Sequence, residues 1–301
     1  MKEVNNGTHC SRTSKMDKKE KNRKVFKDTK RRSMKNQYLR DAIEKSSAKQ
    51  YVVKEQENME GKEEHRFKKP ANILVSKRRS LEAARRYTGE KVCVHNFASA
   101  TNPGGGVLRG ATAQEEAICR CSTLYFNISE ENMVEQFYDR HKKMLKEGTM
   151  DVRYNDDCIY TPEIVVFKTD SEFPEIMPKE QWYHVDIITC AAPNLRKDPS
   201  NAMNPDAGNE AIQLHNNEII DLHVKRMHRI LAIAKKEEVD VVILGAFGCG
   251  AFYNPSEAVV EAMNIVLQEY RYDFKTIEFA VFCTEKDSQN YDVFYNRIVR
   301  N

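Results

Sequence analysis

The sequence predicts an α/β fold in which helices pack on a largely parallel or mixed sheet. Short runs rich in valine and isoleucine alternate along the chain with longer helical stretches, which is typical of layered α/β domains. Two of the short runs pass directly into glycine-bearing loops. With 301 residues, 40% hydrophobic and 31% charged, the chain is long enough to bury one large core.

The first half of the chain begins with basic polar residues and then becomes helical. Residues 1–20 have few apolar positions and are expected to form a disordered basic tail. Residues 21–46 carry an approximate apolar stripe that includes Phe26, and a helix is expected there. The charged stretch 54–69 is expected to be a loop or linker. The next expected elements are a helix over 80–87, a strand over 91–98, and helices over 113–125 and 130–146, the last ended by Gly148.

The second half repeats the alternation of strands and helices. Buried strands are expected where β-branched residues cluster, over 164–167, 184–192, 239–244 and 276–283. Helices are expected over 208–237, 255–270 and 288–299, and Pro255 suits the first turn of its helix. In such sheets, ligands bind beyond the carboxyl ends of the strands, so both glycine loops are expected at one edge.

Charge is distributed unevenly along the chain. Residues 1–69 contain 21 Lys and Arg against 11 Asp and Glu, whereas the remainder contains 27 against 34. The basic stretch has no interleaved aromatic residues and no groove-reading motif, so it is more typical of a solvated helical surface than of a nucleic-acid arm. Nucleic acid is therefore an unlikely partner, although an anionic substrate would be steered by these charges.

Several classes of protein are disfavoured by composition. No apolar run approaches the roughly 20 residues that a membrane helix needs, and no secretory signal is evident. The eight cysteines lie mostly in apolar runs, which favours reduced thiols and a cytoplasmic location. Cys119 and Cys121 have no partner pair or histidine cluster, so no metal and no cofactor are expected.

The glycine loop at 245–252 is suited to an anion. Gly245, Gly248 and Gly250 follow an apolar strand and precede a helix, so backbone N–H groups and a helix N-terminus can meet a diphosphate. A tight turn that requires positive φ at glycine explains the same pattern equally well. The loop does not match G-x-G-x-x-G, which argues against a dinucleotide-dependent oxidoreductase.

The other loop combines glycines with acids. In the segment "TNPGGGVLRGATAQEEA" (101–117), three glycines are followed by seven residues and then by Gln114, Glu115 and Glu116, which begin a helix. Adjacent helical residues point roughly 100° apart, so Glu115 and Glu116 are poorly placed to flank one bond. One acid is therefore expected to perform chemistry while the other orients the substrate.

These motifs resemble the microbial-type poly(ADP-ribose) glycohydrolases. The resemblance rests on GGG followed by QEE, together with "VDIITCAAPN" and "VVILGAFGCGAFYNPSEAV", and extends from about Arg23 to near the C-terminus. It implies a macrodomain-like three-layer fold, with a mixed sheet between helices and an N-terminal helical extension. Residues 21–301 would then form one macrodomain-type glycohydrolase domain that includes N-terminal helices over about 21–88.

The resemblance also implies a function and a set of site residues. Glu116 would be the catalytic acid/base in hydrolysis of the ribose–ribose O-glycosidic bonds of poly(ADP-ribose), and Glu115 would bind ribose hydroxyls. ADP-ribose would be the product and ADP-ribosylated protein a possible partner. The implied substrate-binding residues are Asn102, Gly104, Gly105, Gly106, Gln114, Gly248, Cys249, Gly250, Ala251 and Phe252. Arg109 and Arg120 are weaker candidates for phosphate contacts.

Two related functions stay open at the level of sequence. A macrodomain that only binds ADP-ribose would share the glycine loops, although it would have no need of Glu116. A hydrolase of mono-ADP-ribosylated protein would share the whole site. The sequence does not decide whether chain ends or interior bonds are attacked.

Overall fold

A computed structural model describes residues 9–57 and 64–299, with side chains from residue 18 onward. The helices are α1 (His9–Lys35), α2 (Gln37–Ser47), α3 (Ser80–Ala84), α4 (Gln114–Cys121), α5 (Leu124–Ile128), α6 (Glu131–Met133), α7 (Arg140–Lys146), α8 (Asn216–Lys236), α9 (Ser256–Tyr270) and α10 (Gln289–Arg297). The strands are β1 (Tyr51–Val53), β2 (Asn72–Ser76), β3 (Val92–Phe97), β4 (Cys158–Val166), β5 (Tyr183–Cys190), β6 (Val241–Leu244) and β7 (Thr276–Ala280).

The seven strands form one mixed sheet in the order β1-β4-β5-β3-β6-β7-β2. Strands β5, β3, β6, β7 and β2 are parallel neighbours, and β1 and β4 add two antiparallel pairings at one edge. Because the central strands are covered on both faces, they consist of nearly continuous apolar residues, as in "VVIL" of β6. The predicted mixed sheet between helical layers is confirmed.

Two apolar cores lie on opposite faces of the sheet. On one face, α8, α9 and α10 contribute residues such as Ile230, Val259 and Phe294. On the other face, α3, α4 and α5 contribute residues such as Leu81, Ile118 and Leu124. These faces make the fold a three-layer arrangement, with α1 packed outside α4.

The N-terminal region differs from the prediction in three ways. Helix α1 begins at His9, so residues 9–20 of the expected disordered tail are helical, while residues 1–8 lie outside the described residues. The single helix expected over 21–46 is interrupted at Asn36, whose side chain accepts a hydrogen bond from Leu39 N and caps α2. The segment expected to contribute helices over about 21–88 also supplies both edge strands, β1 and β2.

Local packing explains these differences. Helix α1 is held near its middle because Asn22 Nδ2 donates to Gly110 O (3.0 Å) and the turn at Gly110 lies against the backbone of Lys19. Strands β1 and β2 have three and five residues, too few to show a periodic pattern, and are defined by pairing with β4 and β7.

Smaller differences occur elsewhere. The helix expected over 113–125 is divided into α4 and α5 at Ser122, which forms a bridge to Val166. The helix expected over 208–237 begins only at Asn216, and a π-helical turn (Val134–Asp139) joins α6 to α7.

Candidate active site

A cleft of about 610 Å³ lies at the carboxyl ends of the parallel strands. The loops that follow β3, β6 and β7 line it, together with the first turn of α4. Both glycine loops therefore face one cavity, as expected from the rule for parallel sheets. Of the predicted residues, the lining includes Asn102, Gly105, Gly106, Gln114, Glu115, Glu116, Gly248, Gly250, Ala251 and Phe252.

The two glutamates occupy the first turn of α4, where the helix dipole favours negative charge. Glu116 Oε1 accepts a hydrogen bond from Gly106 N at 2.7 Å. Glu116 Oε2 is buried and has no hydrogen-bond partner among the described residues. One carboxylate oxygen is thus fixed by the protein, while the other is available to a molecule in the cleft.

Glu115 is more fully engaged by the protein. Its side chain accepts hydrogen bonds from Ser99 N (2.8 Å) and Asn96 Nδ2 (3.4 Å), and the backbone N–H of Gly104 also faces it. Burial and the adjacent charge of Glu116 nevertheless raise the pKa of Glu115 well above its usual range. Glu115 therefore retains its proton to a higher pH than an isolated carboxyl group does.

Gly105 explains why glycines and acids occur in one segment. It has φ +54°, and a Cβ there would lie 2.6 Å from Glu116 Oε1 and 2.9 Å from Glu115 Oε2. Both carboxylates thus converge on the bare backbone of Gly105. The resemblance implied that the glycines of this loop bind substrate. In the structure, the absence of a side chain at Gly105 first makes room for the two acids.

Gln114 lines the cleft but its amide is used inside the protein. Its Oε1 accepts from Phe97 N at 2.9 Å, and its Nε2 donates to Ser80 Oγ (3.0 Å) and His95 O (2.8 Å). Gln114 therefore fastens the first turn of α4 to the end of β3. This contact set favours positioning of the adjacent glutamates over direct binding of substrate.

The second glycine loop is held from beneath by Asn254. The Nδ2 of this buried side chain donates to Pro193 O (2.8 Å) and Gly248 O (3.1 Å), and its Oδ1 accepts from His223 Nε2 (2.9 Å). Gly248 has φ +78°, and a Cβ there would lie 2.7 Å from Asn254 Nδ2. A Cβ on Gly250 would meet no heavy atom within 4 Å, so the backbone there is open to a ligand.

Phe252 and Arg196 form one wall of the cleft. The Arg196 guanidinium lies 5.2 Å from the Phe252 ring centroid, and its Nε donates to Ala251 O at 2.6 Å. Tyr154 packs on the other side of Phe252 at 6.3 Å between ring centroids. A cation and an aromatic face therefore stand beside the open backbone of the loop.

Some predicted residues do not line the cleft. Gly104 lies beneath it, with φ +67° and Tyr125 against its Cα, and Cys249 packs toward the core. Arg109 is exposed outside the cleft, and Arg120 donates to Ala111 O at 2.5 Å. Neither arginine lines the cavity, so neither is placed to contact a phosphate bound inside the cleft.

The cleft residues that sequence reasoning missed include Arg79, Asp170, Arg196 and Phe282. The Arg79 guanidinium lies 3.9 Å from the Phe282 ring centroid, and burial raises the pKa of Asp170. They come from separate loops with no motif, and only the tertiary fold brings them together. The one sequence signal for these residues was the position of Phe282 at a strand end, where ligands bind in such sheets.

The described residues include no cluster of three or more His, Cys, Asp or Glu side chains arranged to hold a metal ion. Within the same part of the chain, no helix is sufficiently long and apolar to cross a membrane.

Comparison with known proteins agrees with this geometry. The family model described as "Microbial-type PARG, catalytic domain" matches residues 9–169. A comparison with curated proteins gives no match. A crystal structure of poly(ADP-ribose) glycohydrolase (PARG) from Thermomonospora curvata is 28% identical, with a TM-score of 0.76, and the match covers 92% of this chain and 98% of that chain.

Two ligand-bound structures are also similar. The Thermomonospora curvata enzyme bound to the inhibitor ADP-HPD is 27% identical, with a TM-score of 0.74 and coverage of 92% and 98%. PARG from Deinococcus radiodurans in complex with ADP-ribose is 25% identical, with a TM-score of 0.69 and coverage of 85% and 96%. The family match spans more than half of the chain, and the structural matches span nearly all of it. The chain therefore belongs to the microbial-type poly(ADP-ribose) glycohydrolase family.

Proposed function

We propose that this poly(ADP-ribose) glycohydrolase cleaves the ribose–ribose O-glycosidic bond with Glu116 as its acid and base. The observation that carries the proposal is the asymmetry of the Glu116 carboxyl group. Its Oε1 is held by Gly106 N, Oε2 has no partner among the described residues, and the residue lines the cleft. An acid catalyst needs such a fixed orientation and one free oxygen.

Glu115 is proposed to orient the sugar. The Ser99, Asn96 and Gly104 donors that face it stabilise its anionic form, which can accept hydrogen bonds from ribose hydroxyls. Glu116 Oε2, which has no hydrogen-bond partner among the described residues, is proposed as the oxygen that passes the proton to the substrate.

The order of the loops along the sheet edge predicts the orientation of the bound ligand. Neighbouring strands are about 4.8 Å apart, so the loops after β7, β6 and β3 follow one another at that spacing. The ribose next to the scissile bond would lie at the β3 loop, beside Glu116. The diphosphate would lie on the open backbone near Gly250, with Arg196 nearby, and the adenosine would extend toward Phe282 at β7.

The reaction then proceeds through an oxocarbenium-like centre at the anomeric carbon. Glu116 donates its proton to the departing oxygen as the glycosidic bond breaks. The deprotonated Glu116 next accepts a proton from the attacking water, whose oxygen bonds to the anomeric carbon. The diphosphate of the same unit, negatively charged and held on the second glycine loop, stabilises the cationic centre electrostatically.

Release of ADP-ribose from poly(ADP-ribose) tests the proposal. We expect Glu116→Gln to lower kcat by on the order of 10²–10⁴ while ADP-ribose binding, measured by calorimetry, is retained. Glu261→Gln, on the exposed side of α9, serves as the matched control and should keep full activity. Turnover by Glu116→Gln close to that of the wild type would refute the assignment.

The same assay separates the alternatives. Binding of ADP-ribose without turnover by the wild type would indicate a reader. Release of ADP-ribose only from mono-ADP-ribosylated protein would indicate a hydrolase of the protein linkage.

A cytoplasmic location is also proposed. Its support is the set of free cysteines, among them Cys93, Cys158 and Cys190, which are buried in the core as thiols. Fractionation of cells with an antibody against the chain would test it, and recovery outside the cytoplasm would contradict it.

A further inference from the structure

The outward side of α1 is strongly basic and lies beside the cleft. Residues 18–35 contain ten Lys and Arg against two acidic residues, a net charge of +8. The buried side of the helix carries Asn22, Phe26, Thr29 and Ser33, at helical spacing. The cations therefore lie mostly on the other side, where Lys24, Lys27, Arg31 and Lys35 are all exposed.

Contacts with the catalytic loop fix the direction of α1. Asn22 Nδ2 donates to Gly110 O at 3.0 Å, and Thr29 Oγ1 donates to Arg120 O at 2.5 Å. Gly110 precedes α4 and Arg120 lies near its end, so α1 runs alongside α4 from the cleft outward. At 1.5 Å per residue, the basic side of residues 18–35 extends for about 26 Å.

The loop that contacts Glu116 also contacts this helix. Gly106 donates a hydrogen bond to Glu116 and also borders Ala111. The 3₁₀ turn between Gly106 and Ala111 exposes Leu108 and Arg109. The next residue, Gly110, lies against Lys19 of α1. A chain that leaves the scissile bond on this side thus meets Arg109 and Lys19 first, and then the exposed cations farther along α1.

The two acids within residues 18–35 already have cationic partners. Glu20 pairs with Arg23, and Asp28 is shared by Arg31, Arg32 and Lys168. In contrast, Lys24, Lys27 and Lys35 form no ion pair with any of the residues described. These lysines keep their charge available for a polyanion.

We propose that the basic side of α1 binds the part of the poly(ADP-ribose) chain that lies beyond the scissile bond. Each unit of that chain carries an anionic diphosphate, so successive units match a row of lysines. The proposal rests on the proposed function, because the position of Glu116 defines where the departing chain begins. It makes α1 an extended binding surface for long substrates.

The test compares two triple variants of equal charge. The first is Lys24→Gln, Lys27→Gln and Lys35→Gln, which leaves the buried side of α1 unchanged. The matched control is Lys69→Gln, Lys225→Gln and Lys236→Gln, in which two of the lysines lie on α8 across the sheet and all three are exposed. Each is assayed on long poly(ADP-ribose) and on the dimer, which contains a single ribose–ribose bond.

We expect the α1 variant to lose on the order of tenfold in kcat/KM on long chains, with the dimer changed by less than about twofold. The slope of log KM against log salt concentration should become shallower by about 2, at roughly 0.7 for each lost phosphate contact. The control variant should match the wild type on both substrates.

Several results would overturn the proposal. Equal losses on polymer and dimer would show that these lysines act through the fold of the site, and unchanged polymer kinetics would show that they bind nothing. Tighter binding of single-stranded DNA or RNA than of polymer, abolished by the α1 variant, would identify a nucleic-acid surface instead. Failure of the proposed function is distinguishable, since wild-type protein would then release no ADP-ribose from either substrate.

Discussion

The close approach of both acids to Gly105 predicts that a single methyl group there will disable catalysis. In Gly105→Ala, the Cβ would lie 2.6 Å from Glu116 Oε1 and 2.9 Å from Glu115 Oε2, which is closer than carbon and oxygen normally approach. The carboxyl groups are the ends of side chains, so they can move away. Their displacement, more than a loss of stability, is the expected consequence.

The magnitudes follow from the geometry. Relieving a 2.6 Å contact requires a shift of several tenths of an ångström at Glu116, which also strains its hydrogen bond to Gly106. A displacement of about 1 Å at a catalytic group can cost 10²-fold in rate, so we expect kcat to fall by about one to two orders of magnitude. The φ of +54° adds about 1–2 kcal/mol of backbone strain.

Gly148→Ala is the matched control. Gly148 has φ +68°, yet a Cβ there would meet nothing within 4 Å, so it shares the backbone strain and lacks the contact. Both variants should melt a few degrees below the wild type. Only Gly105→Ala should lose activity on poly(ADP-ribose). If folded Gly105→Ala kept wild-type kcat, or if Gly148→Ala lost as much activity, the reasoning would fail.

Three further predictions concern the support of the site. Asn254→Ala should lower the unfolding free energy by about 1–3 kcal/mol and weaken ADP-ribose binding, because the Asn254 hydrogen bonds hold the second glycine loop. Thermal melting measures the stability and calorimetry measures the affinity. An unchanged affinity would contradict this role of Asn254. Burial lowers the pKa of His95 to about 3 and of His223 to about 4, so the unfolded chain binds more protons below pH ~6.5 and stability should fall as the pH drops from there toward 4. His95→Phe should make that slope of melting temperature against pH shallower, and an unaltered slope would argue against it. Phe26→Ala should lower the unfolding free energy by about 3–5 kcal/mol and also lower kcat, since the Phe26 ring packs on Tyr125 with 5.0 Å between ring centroids. A loss of stability with full activity in the folded protein would show that α1 does not support the active site.

The sequence could predict that the two glycine loops face one cleft because the signal is local. The strand, the three glycines and the acids at 115 and 116 lie within about 25 residues, and the rule for strand ends then places the loop at 245–252 at the same edge. The convergence of both acids on Gly105 was not predictable, because it depends on the turn that the glycines adopt. Gly105 and the two glutamates come into contact only in the folded structure.

Other features could not be read from sequence because they depend on distant partners. Asn254 stands in an ordinary turn sequence before Pro255, and its role comes from the carbonyl groups that surround it. Arg196 lies in a polar loop like several other arginines, and only its contact with Phe252 distinguishes it from Arg109.

Strand β2, from the early part of the chain, pairs in parallel with β7, the last strand to be synthesised. Its edge of the sheet therefore cannot close until about residue 280 has left the ribosome. Loop closure over some 200 residues is entropically costly, and topologies with such distant pairings fold slowly. This domain should acquire its native state only after β7 has been synthesised, and nascent chains that stop before β7 should be sensitive to proteases and dependent on chaperones.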